Sequence, residues 1–285
     1  MSLPENSEPR LATGPQQDRP GVVRKPDVLR LVEPDSEIRQ LLKDTGKSDL
    51  RKYIWLTAGD VSFASFLYFE LITTLLGGMR GALGLLLRRK FYPRMLKACG
   101  RGVVFGRNIT IRHPQRIRIG NNVVIDDNVV LDAKAEEGVT LTIADNTIVG
   151  RNSALVCKGG VIEIAESVNI SVNCTIISES QVSIGEKTLV GGHCYVIAGG
   201  NHGIEFNGVP FVEQPRVQKG GVTILENCWL GAQSTVLDGT KIGPHAVVGA
   251  SALVNRDVPE NTVVAGVPAE PIQTTTPDQI RRRAR

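Results

Sequence analysis

Four histidines are the side chains of this sequence best suited to general acid–base chemistry near neutral pH. His193 and His245 each occupy the fourth residue of a six-residue pattern, where the pattern predicts a turn, and His113 lies in an irregular turn earlier in the chain. We expect these three on the surface. His202 differs, because it lies in the one long interruption of the pattern. An isolated loop histidine is most often only solvated. The location of His202 in the one long loop of a regular repeat is what makes it the candidate general base.

Cysteine chemistry is not expected. The five cysteines form no C-x-x-C pair and show no spacing typical of a metal site. Cys174, Cys194 and Cys228 fall where the pattern needs a small inward-facing residue, so we interpret them as core. An odd number of cysteines without a disulfide framework favours a reducing compartment. The N-terminal residues lack a basic region followed by an apolar stretch, so we expect a cytoplasmic protein.

An aliphatic residue recurs at every sixth position along much of the chain from Phe105 onward. Glycine, aspartate and asparagine follow it and supply turns. Three hexapeptides would close one triangular coil of about 18 residues, whose aliphatic residues stack on those of the next coil. The longest unbroken run is Ile224, Leu230, Val236, Ile242, Val248 and Val254. The sequence therefore predicts a mainly β protein, a parallel β-helix.

The composition agrees with a stacked repeat and argues against nucleic-acid binding. Only 5% of the residues are aromatic, as expected where a bulky ring would disturb the neighbouring layers. The net charge is +4, far from the concentrated basic surface that nucleic acids require. We therefore expect no nucleic-acid partner.

Interruptions of the repeat locate its loops. The coils are predicted to begin near Ile119, Ile143, Ile164, Ile184, Ile224 and Ile242. The successive intervals exceed 18 residues by 6, 3, 2, 22 and none. An insertion must leave the solenoid as a surface loop, and loops on rigid scaffolds commonly carry functional sites. The longest insertion, within residues 197–223, contains His202 and Glu205.

The segments that flank the repeat differ from it in composition. Residues 1–47 are polar and rich in proline, which predicts a mobile, disordered tail, and residues 273–285 form a basic tail. Residues 48–99 are apolar and helical in pattern, and cations follow the apolar run. Two interpretations of this segment stay open: an in-plane dock on an anionic membrane surface, and a helical cap on the open end of the β-helix. The repeat domain is assigned to residues 100–272.

The C-terminal part of the repeat carries its most specific pattern. The block ILENCWLGAQSTVLDGTKIGPHAVVGASALVNRDVPENTVVAGVPAEPI, and above all its ending VPENTVVAGVPA, resembles the hexapeptide-repeat acyltransferases. It is similar to the galactoside and maltose acetyltransferases and to the O-acetyltransferases of bacterial surface polysaccharides. The resemblance extends from about Gly100 to Ile272. It implies a left-handed parallel β-helix that assembles as a homotrimer, with active sites between neighbouring subunits.

The resemblance also implies roles for individual residues. His202 matches the histidine that removes the proton of an acceptor hydroxyl, with acetyl-CoA as co-substrate and no metal ion. Asn173 would contact the acceptor, a sugar or glycan. From spacing alone, and not from the resemblance, Glu205, three residues after His202, is the candidate to orient the imidazole. The residues implied to contact coenzyme A are Trp229, Ala232, Ala250, Asn255 and Arg256. Glu270 departs from the family, which often has basic residues there.

Several alternatives stay open from the sequence. Another acyl donor, such as an acyl carrier protein, or an amino acceptor would suit the same repeat. A zinc-dependent enzyme of the carbonic anhydrase type needs three converging histidines with one closely spaced pair, which the sequence lacks. A non-catalytic scaffold would not need the loop. The sequence therefore predicts a cytoplasmic acetyl-CoA-dependent O-acetyltransferase, with contact at the inner face of the membrane left open.

Overall fold

The structure is a computed structural model of the 285-residue chain. It describes residues 30–32, 41, 43–134, 140–202 and 208–274. Most of the predicted tails, 1–47 and 273–285, and the candidate Glu205 lie outside the described residues.

Directly before the repeat lie the helices α1 (Asp49–Thr57), α2 (Phe63–Leu76) and α3 (Gly81–Phe91). A 3₁₀ turn, Tyr92–Met95, follows α3. The side chains of Ser48 and Ser62 cap α1 and α2, each accepting a hydrogen bond from the backbone N–H three residues on.

Three parallel sheets then form the faces of a triangular solenoid, and the chain passes from face 1 to face 2 to face 3 in every coil. Face 1 consists of Ala98–Cys99, Ile117–Ile119, Leu141–Ile143, Val161–Ile164, Gln181–Ile184, Val222–Ile224 and Lys241–Ile242. Face 2 consists of Val104–Phe105, Val124–Ile125, Ile148–Val149, Asn169–Ile170, Leu189–Val190, Trp229–Leu230, Val247–Val248 and Thr262–Ala265, with Glu270–Thr274 antiparallel at its end. Face 3 consists of Thr110–Arg112, Val130–Lys134, Ala154–Lys158, Thr175–Ser178, Tyr195–Ala198, Thr235–Val236 and Leu253–Val254.

The strand register confirms the predicted mainly β, parallel β-helix with a helical N-terminal segment. The six predicted coil starts, Ile119, Ile143, Ile164, Ile184, Ile224 and Ile242, are successive Cα partners on face 1. One further coil precedes them, since Cys99 pairs with Ile119. A partial coil follows them, where Val258 bridges to Ile242.

The corners that follow faces 1 and 2 are built by the fourth residue of the hexapeptide. This residue takes a positive φ, as at Asn152 (59°), His193 (60°) and His245 (59°). Asparagine tolerates this left-handed region better than most residues because its short side chain hydrogen-bonds locally. The predicted turn positions of His193 and His245 are confirmed, and both side chains are exposed.

The core is a set of aliphatic columns that run through the solenoid. Leu131, Leu155, Ile176, Val196 and Val236 stack on face 3, and each has no exposed surface. Each such side chain contributes roughly 1.5–3 kcal/mol through burial.

The cysteines in these coils are core residues, as predicted. Cys174, Cys194 and Cys228 are all buried, and the Cys194 thiol donates to the Gly231 carbonyl at 3.2 Å. Burial raises the pKa of Cys228 to about 11. The neighbouring Cys194 side chain, together with burial, raises the pKa of Cys174. The raised pKa keeps Cys174 and Cys228 protonated, and protonated thiols are poor nucleophiles. The hydrogen bond with Cys174 lowers the pKa of Cys194, whose side chain is buried inside the coils.

Helices α1 to α3 pack beside the first coil, and we call these three helices the cap. On α2, Phe66, Phe69, Ile72 and Leu76 are buried and belong to the same hydrophobic core as the first coil. Arg88 of α3 is also buried, and its guanidinium donates to the carbonyls of Phe105, Leu76 and Met79 at 2.7–3.0 Å. Within the described part of the chain, no helix is long and apolar enough to cross a membrane.

One prediction about the histidines is wrong: His113 is not on the surface. Only 3% of it is exposed, because α1 folds back over the turn in which it lies. Its backbone N–H donates to the Thr57 carbonyl, and its Nε2 lies 3.0 Å from the Trp55 carbonyl oxygen. His113 therefore fixes α1 to the solenoid.

Candidate functional site

His202 lies on a loop that leaves the solenoid after Ala198 on face 3 and returns at Val222 on face 1. The strand Asn201–His202 pairs antiparallel with Arg216–Gln218, so that His202 is opposite Arg216. A segment from the N-terminal region, Arg30–Val32, pairs with the other edge of Arg216–Gln218. The His202 side chain is exposed. A small sheet therefore holds the candidate base at the surface of the loop.

A nearly buried carboxylate, Asp238, holds both ends of this loop. Its Oδ2 accepts hydrogen bonds from Asn201 Nδ2 and from the Lys219 backbone N–H, both at 2.8 Å. Its Oδ1 accepts from the Gly221 N–H at 2.9 Å. Asn201 immediately precedes His202, so Asp238 fixes the backbone on which His202 is carried.

A second carboxylate, Glu179, supports the loop from the preceding coil. Its Oε1 forms an ion pair with Arg216 Nη1 at 2.7 Å, and its Oε2 accepts from the Gly200 N–H at 3.0 Å. Gly199 passes so close that an added Cβ would lie 2.6 Å from the Glu179 Cβ. Since Arg216 is the strand partner of His202, Glu179 fixes the position opposite the candidate base.

These anchoring residues were not predicted from the sequence. Asp238 and Glu179 each lie 37 positions from a loop residue that they bind, Asn201 and Arg216. The only signal was a carboxylate at a turn beside the long insertion. The predicted orienting residue, Glu205, lies outside the described residues, so its role stays a prediction.

Three of the predicted coenzyme A contacts lie at the corner between faces 2 and 3, which we call corner 2/3. Trp229 is exposed on face 2, and Ala232 and Ala250 are exposed at the corner itself. Their backbones are stacked, with the Ser251 N–H donating to the Ala232 carbonyl at 2.9 Å.

Small residues occupy corner 2/3 in the last coils. The third residue of the hexapeptide is Gly192, Ala232 and Ala250 in these coils, whereas the earlier coils carry Arg107, Asp127, Arg151 and Val172 there. Exposed backbone with short side chains leaves room for a narrow, extended ligand. The geometry is compatible with a pantetheine chain, although the contacts themselves stay predictions.

The other two predicted contacts, Asn255 and Arg256, lie at the corner between faces 3 and 1, which we call corner 3/1. Both are exposed. The Arg256 guanidinium forms an ion pair with the Glu270 carboxylate, which is also exposed. An anionic ligand at Arg256 would therefore compete with Glu270.

Asn173, the predicted acceptor contact, belongs to a side-chain ladder at corner 2/3. Its Oδ1 accepts from Asn152 Nδ2 at 3.1 Å, and its Nδ2 lies 3.2 Å from His193 Nε2. Asn173 precedes its face 3 strand, whereas His202 follows the end of the next one. A four-residue strand is about 13 Å long. One chain alone does not bring Asn173 next to His202.

The described residues contain no group of three histidine, cysteine, aspartate or glutamate side chains that could hold a metal ion. A pocket of about 370 Å³ lies in the cap, between α2 and the first coil. Tyr68, Arg94 and Met95 are among its lining residues, and His202 is not. The candidate site is therefore an exposed corner and loop, not an enclosed cavity.

Comparison with known proteins adds the type of repeat. Residues 221–256 match the family model described as bacterial transferase hexapeptide (six repeats). This part of the repeat consists of bacterial transferase hexapeptides. The resemblance inferred from the sequence is thereby confirmed, and the matched hexapeptides include Trp229, Ala232 and Ala250.

Curated relatives share these hexapeptides. A putative lipopolysaccharide biosynthesis O-acetyl transferase, WbbJ of Escherichia coli, is 37% identical over 121 residues, 40% of this chain and 61% of the relative. The galactoside O-acetyltransferase of Escherichia coli is 30% identical over 118 residues, 40% of this chain and 55% of the relative. The chain thus spans about half to three fifths of the length of these relatives.

Solved structures to which this chain is similar include AntD, an N-acyltransferase from Bacillus cereus in complex with dTDP and 3-hydroxybutyryl-CoA. Its sequence is 23% identical, and the similarity covers 66% of this chain and 88% of AntD with a TM-score of 0.45. The polySia-specific acetyltransferase NeuO is 22% identical, covering 61% of this chain and 77% of NeuO with a TM-score of 0.38.

Proposed function

We propose that the chain is an acetyl-CoA-dependent O-acetyltransferase whose acceptor is a hydroxyl of a sugar or glycan. The observation that carries the proposal is His202, exposed on a loop that Asp238 and Glu179 anchor to a hexapeptide solenoid. Relatives that share the hexapeptides are named O-acetyltransferases, and this favours an oxygen acceptor. An amino acceptor or another acyl donor is the second candidate, since the repeat itself does not select between them.

In this proposal the imidazole of His202 acts as general base. A ring nitrogen accepts the proton of the acceptor hydroxyl as its oxygen attacks the thioester carbonyl carbon. When the tetrahedral adduct collapses, the C–S bond breaks and the imidazolium returns the proton to the leaving sulfur. The products are the acetyl ester and coenzyme A. The pantetheine chain would lie along the small residues Gly192, Ala232 and Ala250. The guanidinium of Arg256 would form an ion pair with a phosphate of coenzyme A.

A homotrimer would complete the site. The candidate residues of one chain are divided between corner 2/3, with Asn173, Trp229 and Ala250, and corner 3/1, with Arg256 and the His202 loop. Neighbouring subunits of a cyclic trimer can place one corner against the other. Exposed aliphatic residues on face 2, Ile148 and Leu189, support contact between copies there.

A cytoplasmic location is part of the proposal. All five cysteines are free, and four of them are buried. A set of unpaired thiols suits a reducing compartment.

The experiment combines product analysis with variants of the histidines. The protein is incubated with acetyl-CoA and a panel of glycans, and mass spectrometry detects acceptors that gain one acetyl group. We expect His202→Ala to lower the rate about 10²- to 10⁴-fold, the usual effect of losing a general base. Acetyl-CoA affinity should be nearly unchanged. His193→Ala and His245→Ala are the controls, because both side chains are exposed at turns, and both should retain most activity.

Two outcomes would contradict the assignment. A His202→Ala variant that keeps more than about a tenth of the wild-type rate is too active to have lost its general base. A zinc-dependent activity lost equally at two or three histidines would favour a metal-dependent enzyme instead.

A further inference from the structure

The helical cap exposes an unusual apolar surface on the side away from the solenoid. Six large side chains of α2 and α3 are each more than half exposed: Phe63, Leu67, Leu71, Leu75, Leu83 and Leu86. We call this set the apolar ridge. The four on α2 are spaced four residues apart and therefore follow one side of the helix. The opposite side of α2 is already buried against the first coil.

Of the polar residues of α2, Ser65 and Thr74 are exposed, whereas Glu70 and Thr73 form hydrogen bonds. Glu70 accepts a hydrogen bond from the Tyr53 hydroxyl at 3.0 Å, and the Thr73 hydroxyl donates to the Phe69 carbonyl at 2.8 Å. Both side chains are thus engaged within the cap. Helix α2 therefore has apolar residues on two sides, one buried and one exposed. A contiguous exposed apolar patch commonly marks an interaction surface.

Positive charges outnumber negative ones around the apolar ridge. Between residues 60 and 97 the sequence has two carboxylates: Asp60, which is exposed, and Glu70, which accepts a hydrogen bond from Tyr53. The exposed cations of the same segment are Arg80, Arg89, Lys90, Arg94 and Lys97. Arg88 does not contribute, because it is buried and hydrogen-bonded to backbone carbonyls. The cap therefore combines exposed leucines with exposed cations.

We propose that the apolar ridge docks in the plane of an anionic lipid surface. Leucine and phenylalanine side chains would insert between the lipid headgroups, and the surrounding cations would meet the headgroup phosphates. A second copy of the same face is a poorer partner, because it would bring like charges together. Docking by an in-plane helix requires no membrane-spanning segment, in keeping with the length of α2, which has 14 residues.

The proposed trimer would strengthen this binding, and this step rests on the proposed function. Cyclic symmetry places equivalent elements at the same height along the symmetry axis. Three apolar ridges would then meet one surface together, and avidity would exceed the affinity of a single ridge.

The test is flotation of the full-length protein with vesicles at low and high salt. We expect binding to vesicles of phosphatidylcholine with phosphatidylglycerol, and much weaker binding to phosphatidylcholine alone. The triple variant Leu67→Gln, Leu71→Gln and Leu75→Gln should lower the vesicle-bound fraction at least about tenfold. Its fold should persist, because exposed side chains leave no cavity and glutamine is a good helix former. Circular dichroism and acetyl-CoA binding verify this.

The charge contribution is tested separately. Arg89→Gln with Lys90→Gln should lower binding to the anionic vesicles about tenfold and leave the weak binding to neutral vesicles unchanged.

The matched control for the triple leucine variant is Val267→Gln with Ile272→Gln. Both residues are apolar and more than half exposed, but they lie in the last part of the solenoid, away from the cap. This control should bind as the wild type does.

Three results would overturn the proposal. The first is no binding to anionic vesicles at low salt. The second is binding that survives the triple leucine variant. The third is a large assembly without lipid that the triple variant dissociates, since the ridge would then be an interface between copies. None of these readouts depends on transferase activity, so a failure here and a failure of the proposed function can be distinguished.

Discussion

Replacing Asp238 by asparagine should release the His202 loop while keeping the shape of the side chain. The carboxylate accepts three hydrogen bonds, from Asn201 Nδ2, the Lys219 N–H and the Gly221 N–H. An asparagine has one acceptor oxygen. If that oxygen takes the place of Oδ2, the amide NH₂ faces the Gly221 N–H, donor against donor. The variant therefore loses one bond and weakens two.

The size of the effect follows from this geometry. A hydrogen bond to a charged group contributes about 1.5–3 kcal/mol and a neutral one about 0.5–1.5, while an unsatisfied buried donor costs about 1–3 kcal/mol. The local opening of the loop base should therefore become easier by about 3 kcal/mol of free energy. At about 1.4 kcal/mol per decade, amide exchange at Lys219 and Gly221 should become roughly 100-fold faster. Displacement of His202 by about 1 Å would lower the rate about 10²-fold.

Hydrogen exchange and kinetics test this together. Exchange is measured for a peptide that covers Lys219 and Gly221, and acetyl transfer is measured at saturating substrates. Asp145→Asn is the matched control, because the Asp145 carboxylate accepts from the Asn121 N–H and the Asn121 Nδ2, both at 2.8 Å, at another corner of the solenoid. This control should leave the transfer rate unchanged. Unchanged exchange at Lys219 and Gly221 in Asp238→Asn would refute the reasoning, whatever the rate.

Two further predictions concern coenzyme A. Ala250→Trp should obstruct corner 2/3 and weaken acetyl-CoA binding, measured by calorimetry, without melting the coils. Glu226→Trp, at the same hexapeptide position on another corner, is the control and should leave the affinity unchanged. Equal affinities for acetyl-CoA in the two variants would place the cofactor elsewhere. Glu270→Gln should release Arg256 and strengthen binding up to about fivefold, the range expected for an exposed ion pair, while Arg256→Ala should weaken it. Effects of the same sign in these two variants would remove Arg256 from the proposed site.

The repeat was predictable because its cause is local. Each hexapeptide carries its own aliphatic core residue and its own turn, so the period alone gives the register, and Ile119 to Ile242 pair as the sequence predicts. The histidines at turn positions follow the same rule. The coil that begins at Ala98 was missed, because Ala98 and Cys99 replace the usual branched aliphatic residues at its start.

Contacts that the period does not encode required the tertiary structure. His113 was expected on the surface because nothing in its own segment covers it, yet α1 packs over it. The same folding back brings α1 and α3 into contact with the first coil. It also decided which leucines of α2 remain exposed, since the sequence shows leucine and phenylalanine on all sides of that helix.

The candidate site divides in the same way. The sequence by itself determined the parallel solenoid, the long loop and the histidine in it, because aliphatic spacing, turn residues and an interrupted period are all local features. Only the tertiary structure decided that Asp238 and Glu179 hold that loop, each 37 positions from its partner. It also decided that the candidate residues divide between two corners. Such contacts depend on which coils stack beside an insertion, and side chains far apart in sequence acquire that proximity only when the solenoid closes.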